Sequence, residues 1–123
     1  MRALILFPLV LALTPFAPTG AQASSPAPRP LAFAQCSSCH SVEPGKTVFG
    51  PSLHGVGGRR AGSLPGFDYS AALRNSRITW NAATLDRWLA SPQKTVPGTR
   101  MPFGGIRDRA ARKALVDYLL TIR

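Results

Sequence analysis

Both cysteines of this 123-residue chain lie in one short segment, Q-C-S-S-C-H, which starts at Gln35 and ends at one of the two histidines, His40. Two thiols with this spacing beside an imidazole fit three kinds of site: a dithiol redox pair, part of a zinc site, or the attachment point of a haem. Each of these sites needs a different scaffold. The segment therefore limits the fold more than any other feature of the chain.

The three alternatives make different demands on the rest of the sequence. A thioredoxin-like dithiol should lie near a βαβ pattern, and the sequence has no convincing strand pair. A structural zinc site needs four ligands, and the adjacent Cys39 and His40 could not easily face one ion together with Cys36. C-x-x-C-H is the signature of covalent haem attachment, in which both thiols add across porphyrin vinyl groups and the histidine becomes an axial ligand. This third interpretation fits the spacing best.

The first 23 residues have the pattern of a secretory leader. Arg2 precedes an apolar run at residues 3–13, and the small-residue pattern A-Q-A at residues 21–23 fits a cleavage site. Prolines at positions 8, 15 and 18 interrupt the apolar run, and a membrane-spanning helix needs about 20 apolar residues. We predict export to the periplasm by a cleaved leader, or a membrane tether if the leader is retained.

Without its leader the chain is strongly basic. It carries 14 Lys and Arg against 5 Asp and Glu once Arg2 is removed, a formal charge of +9. Such an excess speeds encounters with acidic surfaces. The arginines are scattered and no nucleic-acid motif accompanies them, so we predict no binding to nucleic acid.

The sequence predicts an all-α domain at residues 31–123, after a proline-rich spacer at residues 24–30. Capping and hydrophobic periodicity predict three or four short helices, near residues 30–36, 69–75 and 81–91 and from a cap at Asp108 to the end. Residues 42–66 and 92–107 are dense in Gly and Pro and are predicted to be loops. So many loops in a domain of about 100 residues need internal filler, which a covalent haem would supply.

A haem iron held by His40 needs its second axial position assigned. Met101 is the only methionine left once Met1 is removed with the leader. It lies in a Pro/Gly-rich loop that presents the thioether in a fixed place, and we predict that it is the ligand. The competitor is His54, which follows Gly50 and Pro51 closely and is predicted to be an ordinary loop histidine.

Several further motifs follow the first in order: G-P-S-L-H-G, P-G-F-D-Y-S, I-T-W, W-L-A-S-P, P-G-T-R-M-P-F-G-G-I and L-V-D-Y-L. Together with C-S-S-C-H they make the chain from Cys36 to its end resemble class I cytochrome c, the mitochondrial-type group with bacterial relatives. The resemblance implies a small cytochrome c fold around one haem c, held by Cys36 and Cys39. It also implies that His40 and Met101 ligate the iron.

The resemblance also implies supporting roles for other residues. The carbonyl of Pro51 should accept the second ring N–H of His40 and so fix that ring. Four residues match positions that hydrogen-bond or neutralise the haem propionates: Arg59, Tyr69, Trp80 and Thr99. Phe103 matches the aromatic that closes the exposed haem edge. Upstream of Cys36 the match is poor.

The implied function is one-electron transfer by a monomeric carrier that is not an enzyme and has no stable membrane insertion. We predict that the electron leaves near Phe103 and Arg100, inside a basic ring formed with Lys94, Arg107, Lys46 and Arg74. The predicted partners are acidic faces of a quinol-oxidising complex and of a terminal oxidase or peroxidase. Two alternatives are a haem protein with a labile sixth ligand, for gas sensing or weak peroxidase activity, and an electron-entry subunit of an exported dehydrogenase.

Overall fold

The computed structural model describes Gly20 and residues 25–123. Apart from Gly20, the predicted leader at residues 1–23 lies outside the described residues. Within the described part of the chain, no helix has both the length and the apolar character needed to cross a bilayer.

Short helices separated by long loops make up the described chain, as the sequence predicts. A 3₁₀-helix at Leu31–Phe33 leads into α1, and the others follow in chain order: α1 Ala34–Ser37, α2 Ala71–Asn75, α3 Ala82–Ala90, α4 Pro92–Thr95 and α5 Arg109–Thr121. In residues 25–123 the β-type pairing is limited to one isolated antiparallel bridge, between Arg60 and Thr79. The prediction of an all-α domain is confirmed.

The two longest helices begin at side-chain caps. At α3, the Asn81 side chain accepts from the Thr84 N–H at 2.9 Å, and the Thr84 hydroxyl accepts from the Asn81 N–H at 2.8 Å. At α5, the carboxylate of Asp108 accepts from the Ala111 N–H at 2.7 Å, which confirms the predicted cap. Each such bond satisfies an N–H that has no partner within its own helix.

The helix at Pro92–Thr95 differs from the sequence expectation, which treats residues 92–107 as loop throughout. Proline stops α3 because it has no N–H to donate, but for the same reason it is tolerated at the first position of a new helix. The Thr95 hydroxyl then ties the two helices together, donating to the carbonyls of Arg87 and Ser91 at 2.9 Å each. The loop that carries Met101 is therefore residues 96–107, called the Met101 loop below.

The first and last helices pack against each other. The rings of Phe33 and Tyr118 meet edge to face with centroids 5.2 Å apart, and Leu115 in α5 is fully buried. The 3₁₀-helix and α3 both contact α5. These contacts place α1, with Cys36, at a fixed position beside the core.

The proline-rich spacer lies against α5 rather than standing away from the domain. Its Arg29 guanidinium lies 4.9 Å from the centroid of the Phe33 ring, and the Arg29 Nε donates to the Tyr118 hydroxyl at 3.1 Å. The Ala27 N–H donates to the Thr121 hydroxyl at 3.0 Å. A cation over an aromatic face is stabilising by about 0.5–1 kcal/mol at exposed sites, so these contacts join the spacer to the helical domain.

Candidate functional site

A cavity of about 660 Å³ lies at the centre of the domain. This volume is typical of sites that hold a cofactor or another small molecule. Most of the wall is apolar and includes Leu73, Leu85, Trp88 and Leu89. The cavity is lined by all nine residues predicted to attach, ligate or support a haem: Cys36, Cys39, His40, Pro51, Arg59, Tyr69, Trp80, Thr99 and Met101. Their separate roles stay predictions.

The His40 ring is held by the carbonyl oxygen of Pro51, 2.7 Å from its Nδ1. A carbonyl can only accept, so Nδ1 carries the proton that it donates, and the neutral ring keeps a lone pair on Nε2. Burial lowers the pKa of His40, against the opposing effect of the bond to Pro51. Burial therefore favours the neutral ring, the form in which an imidazole can ligate a metal.

Gly50 approaches the same ring so closely that no side chain fits there. A Cβ at this position would lie 2.5 Å from Cε1 and 2.8 Å from Nδ1 of His40. The Gly50 N–H also donates to the Cys39 carbonyl at 2.8 Å. In the sequence, the only sign of this role of Gly50 is its place before Pro51 in the G-P pair.

The two cysteines line the cavity as free thiols. Cys36, in α1, is buried, and burial raises the pKa of its thiol to about 11. A thiol that stays protonated at neutral pH exchanges poorly with disulfides, since the thiolate is the nucleophile. The described residues also contain no cluster of three or more His, Cys, Asp and Glu side chains that could hold a metal ion. The dithiol and zinc alternatives thus gain no support.

Arg59 and Tyr69 form a polar section of the cavity wall. Arg59 donates to the carbonyls of His54 and Ser52 at 3.0 and 2.9 Å, which braces the loop directly after Pro51. Burial raises the pKa of Tyr69, and the nearby Arg59 charge partly opposes that shift. A half-buried cation beside a phenol suits an anionic group such as a carboxylate.

His54 contributes its backbone to this brace. Its carbonyl accepts from Arg59, and its N–H donates to the Ser52 hydroxyl at 3.2 Å. Among the described residues, those that line the cavity do not include His54. Its placement therefore agrees with the predicted role of an ordinary loop histidine.

The first half of the Met101 loop is tied to α4 by the side chain of Gln93. The Gln93 amide nitrogen donates to the Thr99 carbonyl at 2.9 Å and to the Met101 carbonyl at 3.4 Å. Thr99 is buried and Met101 is half-buried, while Arg100 between them is exposed. All three residues line the cavity, and Thr99 and Met101 are the more buried of them.

The second half of the Met101 loop is tied to α3 and α5. The Ile106 N–H donates to the Leu89 carbonyl at 2.8 Å. Arg112, from α5, donates to the Ile106 carbonyl at 2.9 Å and to the carboxylate of Asp86 at 2.6 Å. The hydrogen bond from Arg112 lowers the pKa of Asp86. Nothing in the sequence marks Arg112 as buried, because an arginine in an amphipathic helix is ordinarily a solvent-exposed residue.

The donor set of the cavity fits a haem. Two free thiols can each form a thioether, the neutral His40 ring offers a nitrogen lone pair, and the thioether of Met101 lines the same cavity. The apolar wall suits the porphyrin ring, and Arg59 and Tyr69 suit its carboxylates. Both the size and the chemistry of the cavity are those that a haem needs.

Three of the five predicted ring cations are partly neutralised by neighbouring carboxylates. The carboxylate of Asp68 lies 3.3 Å from Arg100 and 3.4 Å from Arg74, and Lys46 lies 3.0 Å from Glu43. All of these side chains are at least half exposed, and pairs of that kind contribute about 0–1 kcal/mol. The ring cations therefore stay available to an incoming acidic surface.

Comparison with known proteins places the chain beside haem proteins. The family model described as cytochrome c matches residues 29–123. A cytochrome c2 iso-2 from Magnetospirillum molischianum is 44% identical over 94 residues, covering 76% of this chain and 97% of that protein. A cytochrome c2 from Rhodoblastus acidophilus is 47% identical over 88 residues, covering 71% and 82%. The solved structure of cytochrome cH from Methylobacterium extorquens is 46% identical with a TM-score of 0.68, covering 72% and 89%.

Proposed function

This chain belongs to the cytochrome c family, and on that premise we propose how its residues hold the haem and serve electron transfer. It has the small helical cytochrome c fold, binds one haem c covalently and carries electrons rather than catalysing a chemical conversion. When bound, the haem supplies one-electron redox chemistry at its iron. The protein residues attach it, orient it and exclude water from it.

The proposed attachment uses the thiols of Cys36 and Cys39, and the proposed axial ligands are His40 and Met101. The observation that carries this proposal is that the Pro51 carbonyl accepts a hydrogen bond from the Nδ1–H of His40, with 2.7 Å between Nδ1 and the oxygen. The Nε2 lone pair of His40 is then free to ligate, and both His40 and Met101 line the cavity. An outer hydrogen bond of this kind fixes the ring and strengthens the ligand. A neutral thioether opposite an imidazole raises the reduction potential.

We predict that replacing Met101 changes the spectrum and the ligand access of the holoprotein. Met101→Leu keeps the apolar volume but removes the sulfur, so the far-red ferric band of thioether ligation should disappear. Met101→Ala should also allow carbon monoxide to bind the ferrous protein rapidly at neutral pH. Absorption spectra and carbon monoxide titration measure both effects.

The unsubstituted protein is the control for that prediction. It should show the far-red band and resist carbon monoxide at neutral pH. If it lacks the band and binds carbon monoxide readily, Met101 is not the ligand. The labile sixth position of a gas sensor or weak peroxidase would then be the better description.

The proposed sites of electron exchange and docking lie at the cavity mouth. Arg100 and Phe103 both line the cavity there, and the mature chain carries the +9 charge that steers it toward acidic surfaces. We propose acidic faces of a quinol-oxidising complex and of a terminal oxidase or peroxidase as partners. The proposed location is the periplasm, with the protein acting as a monomer.

Charge steering predicts opposite salt responses with small redox reagents of opposite charge. Oxidation of the ferrous protein by hexacyanoferrate(III), an anion, should slow as ionic strength rises from 10 to 200 mM, because the screening length falls to about 8 Å near physiological salt. Oxidation by the cation tris(phenanthroline)cobalt(III) should accelerate over the same range. Stopped-flow rates measure both. If the two oxidation rates responded equally to ionic strength, a basic surface around the cavity mouth would be ruled out.

A further inference from the structure

We infer that Gln93 is a positioning residue for Met101. Its side-chain amide joins two carbonyls of the Met101 loop, at Thr99 (2.9 Å) and at Met101 itself (3.4 Å). Nothing in the sequence motifs assigns this glutamine a role. The inference rests on the proposed ligation by Met101, and it adds that one exposed amide on α4 governs how readily the Met101 sulfur leaves the iron.

The backbone that carries Gln93 is fixed. Pro92, the residue before it, is among the most completely buried side chains of the described chain. The hydroxyl of Thr95 anchors the other end of α4 to the carbonyls of Arg87 and Ser91. The Val96 N–H closes the turn on the Pro92 carbonyl at 2.9 Å. The backbone of α4 is therefore rigid at Gln93. The hydrogen bonds of the Gln93 amide consequently restrain the Met101 loop rather than the helix.

The two carbonyls that Gln93 contacts flank Arg100 in the loop. The amide therefore bridges the two sides of Arg100 and restrains the segment that contributes Thr99, Arg100 and Met101 to the cavity lining. The Met101 carbonyl also accepts from the Phe103 N–H at 2.9 Å. The Thr99 N–H donates to the Val96 carbonyl at 3.1 Å, and the Arg100 guanidinium donates to the Asp68 carbonyl at 2.5 Å. The amide is therefore one of several restraints on this part of the loop, and its loss would loosen Met101 rather than free it.

The test measures how often the Met101 sulfur leaves the iron of the ferric holoprotein at pH 7. Imidazole can bind only after the sulfur has left, so the rate at saturating imidazole reports that event. Gln93→Met keeps the length of the side chain and removes the donor. We expect the saturating rate to rise about two- to tenfold, the change typical of losing an exposed hydrogen bond.

A second variant gives a pH readout that a purely structural role would not produce. Gln93→Glu replaces the donor with a carboxylate that repels both carbonyls at pH 7, so its imidazole rate should exceed that of Gln93→Met. Below a pKa of about 4.3 the protonated acid can donate again. Imidazole is itself protonated at that pH and cannot ligate iron, so nitric oxide, which is neutral at both pH values, replaces it as the entering ligand for this comparison. We then expect its rate to fall below the rate of Gln93→Met measured at the same pH.

Asn75→Ala is the matched control, since it removes an exposed amide from another helix, α2, and leaves both Gln93 hydrogen bonds in place. It should leave the imidazole rate unchanged. Denaturant unfolding separates loop opening from global unfolding, and in Gln93→Met we expect only a small shift of the midpoint. Equal imidazole rates in Gln93→Met and the unsubstituted protein would overturn the inference while leaving Met101 ligation intact. Absence of the far-red band from the unsubstituted protein would instead remove the premise.

Discussion

A Cys36→Ser/Cys39→Ser double variant is expected to be largely unfolded at 25 °C when no haem is retained. The reason is the cavity of about 660 Å³, which the haem fills in the folded protein. Empty apolar space costs about 24 cal/mol per Å³ in engineered cores. The full volume of about 660 Å³ therefore sets an upper limit of about 16 kcal/mol, because water can enter through the mouth. Even half of that equals the entire stability of a typical domain, about 5–15 kcal/mol. The side chains around the cavity therefore cannot hold the fold alone.

Two measurements test this expectation separately. Haem staining after denaturing electrophoresis should show attachment in the unsubstituted protein and none in the double variant. Circular dichroism should show that the haem-free double variant lacks the helices of the native chain and a cooperative thermal transition. Ser37→Ala is the control, because Ser37 is exposed and lies between the two cysteines. A haem-free chain that melts cooperatively would contradict the proposed role of the haem as core filler.

The elements that local sequence signals specify were predicted well. Asp108 caps α5, the apolar residues Leu115 and Leu119 face the core, and residues 71–75 form the short helix expected near Tyr69. These features depend on neighbours within one or two helical turns, so propensity and periodicity suffice to predict them. The helix at Pro92–Thr95 was missed because proline signals both the end of one helix and the start of another.

The contacts that position the site depend on residues far apart in the chain, and the sequence gives little sign of them. Arg112 joins Asp86 to the Ile106 carbonyl, and a Cβ on Gly50 would meet the His40 ring. Tertiary packing decides such contacts, and no periodicity encodes them. The resemblance to class I cytochrome c identified nine site residues that line the cavity, but it did not identify Gly50 or the side chain of Arg112.

Gly105→Ala is the second substitution that we expect to destabilise the protein strongly. Backbone strain and a steric clash act independently at this position. Its φ is +94°, a region that L-residues with a side chain rarely adopt. A Cβ would also lie 2.1 Å from the carbonyl oxygen of Ala90 and 2.7 Å from its carbonyl carbon. That neighbour is helix backbone, which cannot move aside without disturbing α3. The junction between the Met101 loop and α3 would have to separate.

Two other glycines of the Met101 loop separate these costs. Gly98 has a similar φ, +89°, but the nearest atom to a Cβ there would be the Ala72 side chain at 3.4 Å. Gly98→Ala should therefore lower the free energy of unfolding by about 1–2 kcal/mol, from backbone strain alone. Gly104 has open space around it and no positive φ. Gly104→Ala should therefore change the free energy of unfolding by no more than about 0.5 kcal/mol. Gly105→Ala should lower the free energy of unfolding by more than about 4 kcal/mol, because backbone strain and overpacking both act there.

Denaturant unfolding of the three holoproteins measures these differences, and the far-red band reports whether Met101 keeps its place. We expect the band in Gly104→Ala and Gly98→Ala but not in Gly105→Ala, because Ile106, the residue after Gly105, carries the hydrogen bond to the Leu89 carbonyl. The added methyl group at Gly105 would push the loop away from α3 and break that hydrogen bond, so the end of the loop near Ile106 would move. If Gly105→Ala unfolds at the same denaturant concentration as Gly98→Ala, the close approach to Ala90 contributes nothing beyond the backbone strain.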